Sequence, residues 1–154
     1  MAAVKAIPDG YPQVTPYLCV DGAAAAIDFY GRVLGATERM RMGGPEGKIG
    51  HAEIEIEGGL IMLADEFPGM HFLSPKTIGG SPVTVHIYVA DVDTFCRRAA
   101  AAGAEVIRAV ADQFYGDRSG QLKDPFGHTW SIATHVEDVS PEEMQKRAAK
   151  VIGG

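Results

Sequence analysis

Residues 83–108 read VTVHIYVADVDTFCRRAAAAGAEVIR. Val83, Val85, Ile87 and Val89 alternate with Thr84, His86 and Tyr88, the period of two that marks a strand with one buried face. Asp91 then stands where a helix N-cap belongs, and Val92, Phe95, Cys96, Ala99 and Ala102 recur at helical spacing. The pair Gly103-Ala104 stops that helix, and a second strand follows over 105–109. Residues 14–39, VTPYLCVDGAAAAIDFYGRVLGATER, repeat the pattern. Val14 answers Val83, Thr15 answers Thr84 and Val20 answers Val89, each 69 positions on, while Gly35 and Gly103 lie 68 apart after one slip in the helix. A period this long marks a duplicated half-domain rather than a solenoid repeat. The chain is expected to be two copies of one module.

Working outward, Val14, Leu18 and Val20 fall on one face of the first strand and Thr15, Tyr17 and Cys19 on the other, with Pro16 marking an irregular or edge position. Asp21 is placed to cap a helix over 23–34 whose apolar stripe is Ala23, Ala26, Ile27, Tyr30, Val33 and Leu34. In HAEIEIEGG, Ala52, Ile54 and Ile56 point one way and His51, Glu53 and Glu55 the other, and Gly58-Gly59 turns the chain into LIMLAD. Residues 114–135 supply two more strands around a turn at Asp124-Pro125-Phe126-Gly127, in which His128 is an anchor, and Trp130 is expected to face the helix layer. Each module therefore reads βαβββ. Residues 1–12 form an extended arm without assigned chemistry. A single domain over 13–140 comprises module one (13–65), a Pro- and Gly-rich linker (66–82) and module two (83–140). Residues 141–154 are a helix and tail, opened by the capping box of Ser140, Pro141 and Glu143.

With 154 residues the chain is long enough to bury a core without staples. No run approaches the roughly 18–20 apolar residues that span a bilayer, and the first residues lack a basic start followed by an apolar core, so no membrane role and a cytoplasmic location are expected. A net charge of −6 without a clustered basic stretch argues against a nucleic-acid partner. Cys19 and Cys96 are the only cysteines, unpaired in spacing, and read as buried free thiols. No Gly-rich nucleotide loop follows a strand, which leaves methyltransferase chemistry without support.

Two βαβββ modules with DPFGH before the last strand resemble the vicinal oxygen chelate superfamily, which includes glyoxalase I, the bleomycin-resistance proteins, fosfomycin-resistance enzymes and extradiol dioxygenases. The strings TPYL, HAEIEI, LADE, SPKTIGGSPV, FYGDRSGQLKDPFGH and WSIATH are similar to its PhnB-like branch. The resemblance implies an α+β fold in which two tandem βαβββ modules form a curved mixed sheet with helices on the convex face, commonly in homodimers. Its concave face would hold a small organic ligand, with Thr15, Tyr17, Cys19, Thr84, His86 and Tyr88 in the lining.

Metal-dependent members take ligands from His or Gln near the start of each module's first strand and Glu in each last strand. The matching positions here are Thr15, Thr84, Met62 and Ser131. Hydroxyls and a thioether do not replace imidazole and carboxylate around a divalent ion, so no cofactor is expected. The ligand-binding candidates are Thr15, Tyr17, Thr84, His86, Tyr88, Arg118 and Ser131, with Asp117 and Arg118 orienting an anionic or hydroxylated ligand or forming an ion pair. A relocated divalent-metal site on His86, His51 and Glu53 is the alternative, and would make the chain a glyoxalase-type lyase, thiol transferase or dioxygenase. Metal-independent acid or base work by Glu53, Tyr88 or Asp117 is a third reading.

Overall fold

The computed structural model describes residues 2–153, and it follows the duplication. The chain divides into two compact units, one ending at Thr77 and the other starting at Ile78. In the first, β1 (Tyr17–Val20) leads into α1 (Ala23–Leu34), then β2 (Thr37–Gly43), β3 (Ile49–Ile56) and β4 (Gly59–Asp65), with a one-turn helix α2 (Pro75–Ile78) at its end. In the second, β5 (Thr84–Tyr88), α3 (Val92–Ala101), β6 (Glu105–Asp112), β7 (Asp117–Lys123) and β8 (Thr129–His135) precede α4 (Pro141–Ile152). Each unit has a four-stranded mixed sheet, in the order β1-β4-β3-β2 and β5-β8-β7-β6. The first strand pairs parallel to the last, and the remaining pairs are antiparallel. The fold is α+β.

One face of each sheet is covered by the unit's own helix, α1 over β2, β3 and β4, and α3 over β6, β7 and β8. Period two and period 3.6 meet there. Ala23, Ala26, Ile27, Tyr30, Val33 and Leu34 of α1, joined by Phe29, are buried, as are Ala52, Ile54, Ile61 and Leu63 of the sheet. In the second unit Val92, Phe95, Cys96 and Ala99 are buried with Leu122, Trp130 and Ile132. Burying side chains of this size contributes about 1.5–3 kcal/mol each.

The first strand starts later than expected. Pro16 has no N–H to give, so β1 begins at Tyr17, and Val14 is left outside it and exposed. Thr15 is then a half-buried residue of the approach rather than of a strand. Val83 likewise precedes β5 and is exposed.

Helix α1 is not capped by Asp21. Its N-cap is Gly22, and the N–H groups of Gly22 and Ala23 donate to Oδ1 of Asp65 at 2.9 and 2.8 Å, while Oδ2 accepts from Ile49 N at 2.8 Å. One carboxylate at the end of β4 thus ties the start of α1 to the start of β3. The position 69 residues later is Thr134, whose hydroxyl accepts from Val92 N and donates to the carbonyl of Val89. The duplicated site is kept, with Asp91 added as the expected cap on Thr94 N.

The β3–β4 turn also differs from the Gly58-Gly59 expectation. Gly59 pairs with Ile56, so the turn residues are Glu57 and Gly58, both with positive φ (48° and 79°). Two left-handed residues are the pattern of a type I′ hairpin, and a glutamate is poorly suited to the first of them. Glu57→Asn is therefore expected to stabilise the protein by about 0.5–1 kcal/mol, measured as a rise in the urea midpoint at constant slope.

The stretch after β4 is a folded loop, not a bare linker. Glu66 is buried, and its carboxylate accepts hydrogen bonds from Ser74 Oγ at 2.6 Å and Thr77 Oγ1 at 2.7 Å, which hold it below the ordinary carboxylate range. Phe67 bridges Phe72 across the same loop. At the other end of the chain α4 begins as expected, with Ser140 Oγ accepting from Glu143 N. Arg147 fixes it through Glu137, Glu143 and the Phe114 carbonyl.

Candidate functional site

The face of each sheet opposite its helix carries the polar side chains that alternation assigns to it. In the second unit β5 and β8 set the rows: His86 lies opposite Ser131, and Ser131 opposite Gln121 of β7. The His86 Nδ1 and Ser131 Oγ are 2.9 Å apart, leaving His86 Nε2 without a partner among the described residues. Tyr88 meets the His86 ring edge-on at 4.8 Å between centroids and is 55% exposed. Its hydroxyl donates to Asp117 Oδ2 at 2.9 Å, which raises the phenol above its usual range. Asp117 is buried, and its other oxygen accepts from His135 Nδ1 at 2.8 Å, while His135 Nε2 reaches Asp138 at 2.8 Å. With a carboxylate on each nitrogen, first Asp117 and then Asp138, His135 holds its proton above the ordinary histidine range.

Thr84, the first residue of β5, lies opposite Thr129 at the exposed end of this face. Arg118 is not part of it. Successive side chains leave a strand on opposite sides, so Asp117 and Arg118 diverge. The Arg118 guanidinium lies toward α3, with Nε and Nη2 each 2.8 Å from the Asp93 carboxylate and Nη1 3.2 Å from Asp112. Of the two uses open to it, the ion pair is the one seen, and the structure does not bring it to the face where it was expected to orient a ligand. Arg108 stands there instead, opposite Gln121, with Nη2 on Ser119 Oγ at 3.2 Å. Alternation along β6 did not reveal it because bulges interrupt the register on both sides of Arg108.

In the first unit the corresponding face is a chain of hydrogen bonds. Tyr17 and Met62 are in register, as are Met62 and Glu53. Tyr17 Oη is 2.7 Å from His51 Nδ1, and His51 Nε2 is 3.1 Å from Glu53 Oε2. The other Glu53 oxygen accepts from Tyr11 Oη at 2.7 Å. Glu53 is only 3% exposed, because the arm that carries Tyr11 lies across it, pinned by Arg39 over the Tyr11 ring and on the Gly10 carbonyl. Burial pushes this carboxyl up, but hydrogen bonds from His51 and Tyr11 outweigh it and hold Glu53 below its usual range. Tyr11 escaped the sequence reading. Its only signal was a carboxylate on a strand that needed donors from elsewhere.

Two clefts lie on the helix side, at equivalent places in the two units. One of about 370 Å³ is bordered by Ile27, Asp28, Arg32 and Glu38, and one of about 240 Å³ by Cys96, Ala100, Val106 and Leu122. The polar groups of the first pair with each other, Arg32 with Asp28 and Arg41 with Glu38.

This duplicated βαβββ architecture matches known proteins. Residues 10–132 match the model of the Glyoxalase/Bleomycin resistance protein/Dioxygenase superfamily, and the chain belongs to that superfamily. A Mycobacterium bovis protein described as uncharacterized, Mb0911c, is 46% identical over 137 residues, covering 87% of this chain and 90% of its own. Among solved structures, TioX from Micromonospora sp. ML1 is 25% identical with a TM-score of 0.63, covering 84% of this chain and all of its own. A Bacillus cereus protein titled putative 3-demethylubiquinone-9 3-methyltransferase, PhnB protein, shares the fold at 16% identity and a TM-score of 0.62, over 80% of this chain and 99% of that one.

Divalent ions serve several branches of this superfamily, and the residues here do not fit one. At the matching positions Met62 offers a thioether, Ser131 a hydroxyl already on His86, and Thr15 and Thr84 neutral hydroxyls. Among the described residues no group of three or more His, Cys, Asp or Glu is placed to hold a metal ion. His51 and Glu53 stand together in the first unit, and His86 lies in the second.

Proposed function

We propose that the protein binds a small organic ligand on its helix-free sheet faces without the superfamily's usual metal, as a PhnB-like member. The observation that supports this reading is the second unit's face, where His86 presents Nε2 beside the exposed ring of Tyr88 and next to Ser131, with Arg108 on β6 at the far edge of the same sheet. Aromatic surface with a few directed polar groups is what an organic ligand of modest size requires. Thr84 and Thr15 add hydroxyls near the starts of the first strands, and Tyr17 gives the first unit its own exposed phenol.

The test is elemental analysis of tag-free protein, followed by thermal melts against a panel of aromatic and hydroxylated acids, with divalent ions and chelator in parallel. An organic compound at about 100 times its dissociation constant is expected to raise the melting temperature by roughly 5–10 °C, and His86→Ala to abolish that rise. Near-stoichiometric metal with a chelator-sensitive melt, lost in His86→Ala, would refute the reading and favour a metal-dependent lyase, thiol transferase or dioxygenase.

A further inference from the structure

Each member of the first unit's hydrogen-bond chain has an assignable direction. Glu53 is ionised and can only accept, so both neighbours donate to it: Tyr11 through its hydroxyl and His51 through Nε2–H. A neutral imidazole with its proton on Nε2 has its lone pair on Nδ1. In that neutral form the Tyr17 hydroxyl, 2.7 Å away, donates to Nδ1, and the lone pairs of the Tyr17 oxygen remain for an outside partner. Tyr17 is 46% exposed, with Phe72 edge-on at 5.7 Å and the Met62 thioether beside it in register. At one end of the chain stands an exposed phenol among apolar groups, and at the other a buried anion.

Resting on the reading that this face binds an organic ligand, we propose that Tyr17, His51 and Glu53 form a metal-independent proton relay. Its ligand class is a planar aromatic or enolisable molecule with one acidic O–H or C–H. The ligand donates its proton to the Tyr17 oxygen as the Tyr17 proton passes to His51 Nδ1. The ligand remains bound as an anion, Tyr17 is again a neutral phenol now donating to that anion, and His51 becomes an imidazolium against the Glu53 carboxylate. One X–H bond breaks, one N–H bond forms, and no oxidant or metal enters. Return of the proton to a different atom of the ligand would make the step an isomerisation. Burial, with smaller contributions from Cys19 and Glu53, holds the Tyr17 phenol above its usual range, so Tyr17 passes the proton on without remaining ionised. Glu53 and Tyr11 are positioning residues. The other titratable groups facing the relay are Cys19 of β1 and Arg39 of β2, the latter 3.6 Å from Glu55.

The probe is 4-nitrophenol, whose phenolate absorbs where the neutral form does not, in buffer acidic enough to keep the free probe neutral. The full-length protein is expected to produce a saturable phenolate band. Tyr17→Phe, which removes only a half-exposed hydroxyl, and His51→Gln are each expected to weaken it roughly tenfold or more. Glu53→Gln keeps the shape but not the charge that steadies the imidazolium, and should move the band's appearance to higher pH by about one unit, a shift that a purely structural role would not produce. Saturation-transfer NMR that shows the phenol bound but still neutral overturns the relay and leaves the binding reading intact. A band undiminished in Tyr17→Phe and His51→Gln overturns it as well. So does failure to bind in both readouts, in which case the binding reading rests on its own melt screen.

Discussion

Asp124→Ala is expected to destabilise the second unit by about 3–5 kcal/mol. Asp124 is buried at the turn before β8, where Oδ1 accepts from Phe126 N at 2.9 Å and His128 N at 3.0 Å, and Oδ2 accepts from Trp130 Nε1 at 2.8 Å. Removing the carboxylate leaves three donors without their acceptor in a place shielded from water. Leaving each unmet costs about 1–3 kcal/mol, against a typical total stability of about 5–15 kcal/mol. Asp124→Asn separates the contributions, since its carbonyl oxygen can keep the two turn bonds while its amide meets the indole N–H donor to donor. It should lie between wild type and Ala. Trp130 is the only tryptophan, so its fluorescence during urea unfolding reads the change at its source. A loss under about 1 kcal/mol for Asp124→Ala would show that water replaces the carboxylate easily.

The second large effect is expected at Asp65. Asp65→Ala strips the acceptor from Gly22 N, Ala23 N and Ile49 N, and should cost about 3–5 kcal/mol in the first unit. Because α1 has no side-chain cap on its own N-terminus, hydrogen exchange at its first turn should accelerate more than at its last. Uniform acceleration along α1 would mean that Asp65 acts on the whole unit and not through the helix start. Thr134→Val, at the equivalent position, should be milder, since Asp91 still caps α3.

These two aspartates mark where sequence reading succeeds and where it stops. The turn at Asp124 was visible because DPFG concentrates turn chemistry in four adjacent residues. The role of Asp65 was not, because its partners lie 16 to 43 positions away and only the closed sheet brings them near. Helix stripes and the faces of β3 and β5 were legible for the opposite reason, being local periodicities that packing reinforces. Asp21, adjacent to α1, looked like the cap, yet Gly22 with φ of 100° turns the chain so that the distant carboxylate takes the position. Bulges hid Arg108, and proximity in the chain made Asp117 and Arg118 look like a pair that alternation separates. At the candidate site, His51 and Glu53 were recognised together, but their use for hydrogen bonding to tyrosines required Tyr11, whose arm shows no period at all.

The placement of the two cysteines supplies a clock for each half of the molecule. Cys19 is buried in the first unit and Cys96 in the second, and burial pushes both thiols up, Cys19 to about 11. At neutral pH neither is appreciably a thiolate, so a thiol reagent reacts slowly until the surrounding structure opens. Labelling rates read by peptide mass therefore report the opening free energy of each half separately, one sulfur per half. Equal rates would mean that the two modules open equally readily, and unequal rates would identify which of them opens more readily.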